Sequence, residues 1–317
     1  MRFLKRIFVM TAAVALLAAA GCGKREPDCS VEVTEETVYI EGLENDYTLL
    51  FVTDAHIVVR SDASAADGGQ GNESLTQYEN QRYSMFQNAE GTDSMTQFEA
   101  FIRYANEQKV DGVLFGGDII DCPSEANVGW LAEQLDRLKM PFLYVLGNHD
   151  WTFPWDYMTE EGRKSYLPML EPLMQGGTAV NSLDFGEFIV VGIDNSCDQV
   201  NGEALPEFER ICDEGRPVIV MAHVPFLTQS VLGNAREVWS GSVVIGGGNY
   251  GGIYPDEYSD RFVKKLTAAD SPVELMLAGH VHFYDKDVIE GEKDVLQIVG
   301  GAGYEGNAVL LHVTGRK

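Results

Sequence analysis

Positive charge is scarce in this sequence. It contains 23 Lys and Arg residues against 49 Asp and Glu residues, so its formal net charge is −26 at pH 7. Because nucleic acids are themselves polyanions, a chain with this charge is not expected to bind them as its main purpose. A small anionic substrate is compatible with the charge if something local reverses its sign, and bound metal ions would do so.

A membrane-spanning run is also lacking. The N-terminal apolar run from Ile7 to Ala20 is broken by Thr11. It is shorter than the roughly 20 residues that a transmembrane helix needs. Its position after a basic stretch is typical of the apolar region of a signal peptide. The run ends in small residues directly before Cys22, which resembles the cleavage box of bacterial lipoproteins.

This N-terminus predicts an exported protein. We expect residues 1–21 to be removed as a lipoprotein signal peptide and residues 22–36 to form a tether. Cys22 would carry the lipid that anchors the chain to a bacterial membrane or to the cell surface. Ala19 stands where the box usually has Leu. A plain secretory signal followed by a chance cysteine is the alternative interpretation.

Two common cofactor motifs are missing from the sequence. No CxxC pair occurs, so a zinc site built from thiolates is not indicated. The glycines of segment 246–252 lack the Lys-Ser/Thr of a nucleotide-binding P-loop, and we interpret this segment as a loop. Cys122, Cys197 and Cys212 lie in or beside apolar stretches and are interpreted as small buried hydrophobic residues. Export would permit disulfides among these cysteines and Cys29 without requiring them.

Strand-like and helix-like segments alternate through the rest of the chain. The early part alternates strand and helix, which predicts a parallel sheet covered by helices. The pattern from Leu275 onward predicts consecutive strands. We therefore expect an α/β fold in which two sheets pack together, as a single domain over residues 37–317. Helices are predicted around Phe98–Ala105 and Leu131–Leu138, and less strongly over Pro206–Cys212 and Tyr258–Leu266. The predicted strands are Thr37–Ile40, Thr48–Val52, Gly112–Phe115, Phe142–Leu146, Phe188–Ile193, Val218–Met221, Leu275–Leu277, Val295–Val299 and Val309–Val313.

Residues 61–93 form an insertion within this domain. The segment is rich in Gly, Ser, Asn and Gln, shows little apolar periodicity and is too long for an ordinary connection. It is expected to be either a partly ordered lid over a site or a mobile surface insertion. Arg60 and Arg82 are candidate contacts to a phosphate group, although the spacing singles out neither.

The histidines mark the candidate site. The sequence has only six, and five of them follow strand-like runs. The carboxyl ends of parallel strands meet at one edge of a sheet, so polar clusters that follow different strands are expected to converge there. His312 belongs to no such cluster and is interpreted as an ordinary polar residue. The clusters are Asp54-Ala-His56, Gly-Asp118-Ile-Ile-Asp121, Gly-Asn148-His149-Asp150, Ala-His223 and Gly-His280-Val-His282.

These clusters offer carboxylates, imidazoles and one amide. Such a set suits Mn, Fe, Zn or Co better than Ca, which prefers oxygen ligands only. In Asp-x-His and His-x-His, residues i and i+2 point the same way if the backbone is extended, so both side chains would reach one site. Seven candidate ligands are too many for one tetrahedral ion and about right for two ions that share a carboxylate.

This ordered series resembles the calcineurin-like metallophosphoesterase family. The family pattern is Asp-x-His, Gly-Asp-x-x-Asp, Gly-Asn-His-Asp/Glu, His and Gly-His-x-His, and every element is present in order over residues 54–282. The resemblance implies a four-layer sandwich of two mixed sheets flanked by helices, and a hydrolase of phosphoric esters. The insertion separates Asp54 and Asp118 more widely than is usual in the family. The purple acid phosphatase branch is disfavoured, because Asp121 stands where that branch has a metal-binding Tyr.

The resemblance also implies roles for single residues. Asp54, His56 and His282 would hold one metal ion, Asn148, His223 and His280 would hold the other, and Asp118 would bridge both. A hydroxide held between the ions would attack phosphorus, and His149 would donate a proton to the leaving oxygen. Asp150 would orient His149. Asp121 would lie behind the ligands without binding metal.

Two functions stay open at this point. The first is an enzyme that cleaves small phosphoric mono- or diesters outside the cytoplasm, and the second is a ligand-binding surface lipoprotein of the same fold without catalysis. The complete ligand set and the presence of His149 favour the enzyme. An intracellular nuclease subunit of the family is disfavoured by the export signal and the charge. Trp151, Phe153 and Trp155 either stack on a ring of the leaving group or belong to a lid or core, and the second interpretation is favoured.

Overall fold

Two β-sheets form the centre of the molecule. The computed structural model describes residues 29–60, 79–152, 159–241, 243–246 and 254–315. The first sheet has five strands in the order β1-β11-β2-β3-β4, and only the β11–β2 pair is antiparallel. Its strands are β1 (Glu32–Tyr39), β2 (Tyr47–Val52), β3 (Gly112–Phe115), β4 (Phe142–Tyr144) and β11 (Asn307–Thr314).

The second sheet has six strands in the order β5-β6-β7-β8-β10-β9. Its four inner strands are parallel to one another, and the edge strands β5 and β9 are antiparallel to their neighbours. The strands are β5 (Val180–Asp184), β6 (Ile189–Ile193), β7 (Val218–Met221), β8 (Val273–Ala278), β9 (Asp285–Ile289) and β10 (Val295–Val299). Both sheets are thus mixed, as the family resemblance implies.

Helices cover the outer face of each sheet. In β2, Leu50 faces the helices, whereas Phe51 faces the second sheet, because successive strand residues point to opposite faces. The interior between the sheets is a buried apolar layer to which both contribute. The helices are α1 (Ser94–Gln108), α2 (Glu125–Leu135) and α3 (Glu160–Leu170) on the first sheet, and α4 (Leu205–Asp213), α5 (Gln229–Val238) and α6 (Glu257–Leu266) on the second. The expected four-layer sandwich is confirmed.

Side-chain caps fix where most helices begin. Asp93, Ser124 and Thr159 accept hydrogen bonds from backbone N–H groups in the first turns of α1, α2 and α3. Thr228 and Asp256 do the same for α5 and α6. Each cap satisfies a donor that the helix itself leaves unpaired.

The structure corrects the expected element boundaries. Residues 32–36, predicted to be tether, belong to β1, which pairs with β11 from Glu32 onward. This edge strand is mostly exposed and rich in Glu and Thr, so it carries little of the apolar signal that identifies buried strands. The weakly predicted helices α4 and α6 are confirmed. The elements α3, α5, β5 and β9 were not predicted.

The N-terminal predictions lie outside the described residues. They concern the signal peptide of residues 1–21, the lipidated Cys22 and the first part of the tether. Among the residues that are described, no helix is both long and apolar enough to cross a membrane.

Candidate metal centre

The predicted site residues meet where the two sheets come together. Asp54 and His56 follow β2, and the motifs of Asp118 and Asn148 follow β3 and β4 of the same sheet. His223 follows β7 of the second sheet, and His280 and His282 follow β8. All five parallel strands end at this edge, which is where α/β sheets place their ligands.

A first ligand group consists of Asp54, His56 and His282. One ligand atom of each lies within 4.8 Å of those of the other two. The Nε2 atoms of His56 and His282 are 3.1 Å apart, and Asp54 Oδ1 lies 3.4 Å from His282 Nε2. Asp54 and His56 are fully buried. Their arrangement matches the set expected to hold one metal ion.

A second ligand group consists of Asp118, His223 and His280. Asp118 Oδ2 lies 3.1 Å from His223 Nε2 and 3.9 Å from His56 Nε2, so this carboxylate faces both groups. Three buried atoms here make no hydrogen bond of acceptable geometry among the described residues: Asn148 Oδ1, His280 Nε2 and His223 Nε2, the last of which has the Asp118 carboxylate as its ion-pair neighbour. Buried polar atoms normally have partners, and these three belong to the ligands expected for the second ion. The residues present therefore fit a pair of metal ions.

The backbone that carries these ligands is strained rather than extended. Asp54, His56, Asp118, His280 and His282 all have positive φ, between 45° and 74°. The expected explanation, an extended strand with i and i+2 on one face, is therefore wrong for Asp54–His56 and His280–His282. Both pairs lie beyond the strand ends in a left-handed conformation that few non-glycine residues adopt. Such strain persists where the surrounding structure imposes it, often at functional sites.

Two motif glycines are required by close approach. A Cβ atom at Gly147 would overlap the Asp118 carboxylate, and one at Gly279 would overlap Thr53 and Asp54. Because these glycines have no side chain, the loop after β4 can approach the Asp118 carboxylate, and the loop after β8 can approach the Asp54 carboxylate. The Gly279 loop also places the His280 N–H 2.9 Å from Asp54 Oδ2, where it donates a hydrogen bond.

Burial and charge set the protonation of the histidines. Burial lowers the pKa of His56 to about 4 and that of His280 to about 3, which keeps both rings neutral and able to bind metal. Burial also opposes protonation of His223, but the adjacent Asp118 carboxylate outweighs it and raises the pKa of His223 to about 10. Without metal, His223 is therefore protonated and paired with Asp118, and a metal ion bound by His223 would have to displace this proton.

Asp121 connects the ligands to His149. Its Oδ1 lies 2.9 Å from Nδ1 of His56 and 2.9 Å from Nδ1 of His149. Arg82 donates to both oxygens of the same carboxylate. Burial opposes ionisation of Asp121, but the hydrogen bonds from His149, His56 and Arg82 hold its pKa below the usual range. Asp121 thus lies behind the ligands, in the position expected for it.

The role expected for Asp150 needs correction. Its carboxylate accepts hydrogen bonds from the backbone N–H groups of Gly147, Asp118, Ile119 and Ile120 and from the Tyr144 hydroxyl, at 2.7–3.0 Å. These contacts fix the loop after β3, which carries Asp118. His149 Nδ1 donates to the Asp121 carboxylate instead. Asp150 therefore shapes the site through the backbone rather than by orienting His149.

Two residues of the insertion also reach the site. Phe86 stacks on His56 with ring centroids 4.0 Å apart and planes 7° apart, and Arg82 lies 4.6 Å from the Phe86 ring centre. Arg82 was a weak candidate in the sequence, and Phe86 was not a candidate. Tyr304, also missed, packs edge-on against His56 and His282. No motif marks these positions. Residues 61–78 of the insertion lie outside the described residues.

Other predicted residues lie away from the ligands. Trp151 is fully buried and donates to Ser196 Oγ at 2.9 Å, so it is a core residue, while Phe153 and Trp155 lie outside the described residues. Arg60 packs over Tyr83, and His312 lies on β11 near Glu35. Cys122 and Cys212 are buried as expected, and Cys197 is half-buried.

The family model for calcineurin-like phosphoesterases matches residues 47–284. The chain belongs to this family. It is therefore a calcineurin-like phosphoesterase with candidate His and Asp ligands for metal. A search of curated protein sequences found no significant match.

Several solved structures are similar to this chain at low sequence identity. A purple acid phosphatase from yellow lupin seeds (Lupinus luteus) superposes with a TM-score of 0.51 at 14% identity, over 86% of this chain and 46% of that longer chain. A dimetal phosphatase from Danio rerio gives a TM-score of 0.44 at 11% identity, over 82% of this chain and 88% of that chain. The NAD nucleotidase of Haemophilus influenzae gives 0.41 at 12% identity, over 84% and 49%. At these identities the likeness concerns the fold alone.

Proposed function

We propose that this phosphoesterase hydrolyses small phosphoric mono- or diesters outside the cytoplasm and uses two metal ions. Asp54, His56 and His282 hold one ion, and Asn148, His223 and His280 hold the other. Asp118 is shared between them. The observation that carries the proposal is the position of Asp118, which faces His56 of one ligand group and His223 of the other. In addition, the buried atoms Asn148 Oδ1 and His280 Nε2 have no hydrogen-bond partner in the described part of the chain.

The ligands suit Mn, Fe, Zn or Co, because imidazole nitrogens are combined with carboxylate and amide oxygens and no thiolate takes part. When bound, such ions neutralise charge on phosphoryl oxygens and lower the pKa of water, so that hydroxide is available near neutral pH. The Phe86 ring shields His56 on one face, and the hydrogen bond to Asp121 fixes its ring orientation. A ligand histidine that donates its second N–H to a carboxylate is thereby held in the tautomer that binds metal.

His149 is assigned the role of general acid. Its Nδ1 is engaged by Asp121 at 2.9 Å, and its backbone N–H donates to Asp118 Oδ1 at 2.7 Å, so the ring is held beside the shared carboxylate. Nε2 is therefore the atom that we assign to protonation of the leaving oxygen. This proton matters most for alkoxide leaving groups, which are poor leaving groups without it.

Export and a lipid anchor on Cys22 complete the proposal. They are supported by the sequence of residues 1–21, in which a basic stretch is followed by an apolar run and then by small residues directly before Cys22. An exported esterase acts on substrates outside the cytoplasm.

The test is an esterase assay of the full chain purified in detergent. It is assayed with p-nitrophenyl phosphate and with bis-p-nitrophenyl phosphate, each with added Mn, Zn, Fe or Mg, beside Asp118→Asn. Metal-dependent release that Asp118→Asn abolishes is the expected result. Release from the diester alone identifies a phosphodiesterase, and release mainly from the monoester identifies a phosphatase. Two bound ions without turnover of any ester would favour the ligand-binding lipoprotein instead.

A further inference from the structure

A cavity of about 230 Å³ opens beside the two ligand groups. Half of the residues that line it belong to the metal centre and its motifs. The other half are Asp198, Trp239, Val243 and Val244, which no motif identifies. A substrate whose phosphoryl group lies at the ligands would extend its alcohol part along this second half. The side chains there are thus candidates for substrate selection.

Asp198 is the unusual member of this lining. It follows β6 and has a φ of 68°, the left-handed conformation found at the metal ligands. Its Oδ1 is buried and has no hydrogen-bond partner among the described residues. A buried carboxylate oxygen without a donor is costly, so its retention calls for a partner of another kind. Asp118, the other acidic residue of this lining, is a proposed metal ligand, whereas the proposed hydrolysis does not use Asp198.

The loop that carries Asp198 is held at both ends. Before it, Asn195 exchanges two hydrogen bonds with the backbone of Val224, in the segment that follows His223. After it, the Val200 N–H donates to Ser259 of α6 at 2.9 Å. These contacts hold the loop on both sides of Asp198, whose backbone stays in the left-handed region.

The chemistry of this half of the cavity favours a cation. Burial raises the pKa of Asp198, and of the charged groups around it only His223 offsets this effect. Trp239 lines the same cavity, and an aromatic ring there adds attraction for a positive charge. The Trp239 ring is fixed by its Nε1–H, which donates to Val281 O at 3.0 Å, and by edge contact with His282. An alcohol part that carried a second phosphate or a carboxylate would be repelled here.

We propose that Asp198 is a specificity-determining residue that selects phosphoesters whose alcohol part carries a protonated amine. The ammonium would pair with the Asp198 carboxylate and lie against Trp239 while the phosphoryl group is bound at the ligand groups. This inference rests on the proposed function for the position of the phosphoryl group. Phosphoesters of amino alcohols are thus the substrate class that the site fits.

The test compares three esters of matched length, namely phosphorylethanolamine, hydroxyethyl phosphate and propyl phosphate. They end in an ammonium, a hydroxyl and a methyl group, and each is used as monoester and as methyl diester. Hydrolysis by the metal-loaded full chain is followed by phosphorus NMR, binding by calorimetry and bound metal by mass spectrometry. The ammonium ester is expected to have at least about a tenfold higher kcat/KM than the methyl ester, the range of a charged hydrogen bond.

Asp198→Asn is the decisive variant, because Asn has the same shape and also tolerates positive φ. It should lower the ratio of ammonium-ester to methyl-ester kcat/KM about tenfold or more and keep the bound metal. Asp270→Asn is the matched control: it removes the same charge from an exposed position before β8, at the strand end away from the site. Asp270→Asn should leave the ratio of ammonium-ester to methyl-ester kcat/KM unchanged.

Each contrary result has a distinct meaning. Equal loss for all three esters, a hydroxyl preference, or loss of metal in Asp198→Asn would overturn the inference, and metal loss would make Asp198 a ligand. Hydrolysis of all esters without preference would leave the proposed function intact and reject the inference. If no ester is hydrolysed but the ammonium ester binds at least tenfold more tightly, and Asp198→Asn removes that difference, the proposed function fails and the inference stands.

Discussion

Arg82 donates to both oxygens of Asp121, with Nε 2.6 Å from Oδ2 and Nη2 2.9 Å from Oδ1. The same carboxylate holds the Nδ1 atoms of His56, a proposed metal ligand, and of His149, the proposed acid. One residue of the insertion thus holds the group that orients both histidines. The described part of the insertion therefore packs against the candidate metal centre.

This relationship predicts that Arg82→Met weakens metal binding by about tenfold, the lower end of what groups behind metal ligands contribute. Arg82→Lys should weaken it less, because it restores the charge but not the paired hydrogen bonds. Metal affinity is measured by competition with a chelator. The control is Arg261→Met. Arg261 lies on α6 and forms an exposed ion pair with Glu209 on α4, so its replacement should leave the metal affinity unchanged. Equal metal affinity in Arg82→Met and the wild type would show that Asp121 orients the two histidines without the hydrogen bonds from Arg82.

His149→Ala should keep the bound metal and lower turnover by roughly 10²–10⁴-fold, the usual contribution of a general acid. The loss should be largest for alkyl phosphates and smallest for p-nitrophenyl esters, whose leaving group needs little protonation. Turnover of both ester types and metal content are measured on the same preparation. His149 also lies within ligand distance of His56 and Asp118. Loss of metal from His149→Ala would therefore assign it to the ligands and reject its role as acid.

Asp118→Asn should lose both metal ions and nearly all activity. The carboxylate faces His223 at 3.1 Å and His56 at 3.9 Å, so it is the one group that both ligand sets share. Metal content per chain is the primary measurement, and circular dichroism shows whether the fold is kept. One ion retained per chain would indicate that Asp118 belongs to a single site.

The convergence of the candidate ligands could be predicted from the sequence because residue type and order carry its signal. Asp54, His56, Asp118 and the later histidines follow apolar strands, and strand ends converge in a sheet of this kind. The local reason was wrong, since the Asp-x-His and His-x-His pairs adopt positive φ rather than an extended strand. Hydrophobic patterns do not reveal such strained conformations, because they depend on the contacts that enforce them.

Other features depend on tertiary contacts alone. Arg82 and Phe86 reach the site from an insertion without periodicity, and Asp198 from a loop without a motif. Asp150 follows the family pattern, yet its contacts go to the backbone after β3. The edge strands β1 and β9 are rich in charged residues and half exposed, so they lack the apolar signal that identified the central strands.

The proposed lipid anchor on Cys22 predicts a simple fractionation result. In a host that processes lipoproteins, the full chain should be found with the membranes, and its mature N-terminus should be an acylated Cys22. Cys22→Ala should release the chain from the membrane fraction or leave it unprocessed, with esterase activity per bound metal unchanged. Mass spectrometry of the intact protein measures the lipid. A wild-type chain cleaved elsewhere and without lipid would favour the plain secretory signal.

The buried pair of Arg163 and Asp194 predicts a stability effect on the loop that carries Asp198. Their charged groups are 2.8 Å apart, and both side chains are 2% exposed. Asp194→Ala should lower the free energy of unfolding by about 3 kcal/mol, because it removes the buried partner of Arg163 and leaves only the exposed Glu160, 3.1 Å away, to pair with this buried charge. Replacing both residues, as Arg163→Met with Asp194→Leu, should recover much of this loss, since the cost comes from the uncompensated charge. Urea denaturation measures both variants against Asp213→Ala, which breaks an exposed pair with Lys265 and should cost at most about 1 kcal/mol. A loss for Asp194→Ala no larger than that of Asp213→Ala would mean that water reaches the pair and that the loop does not depend on it.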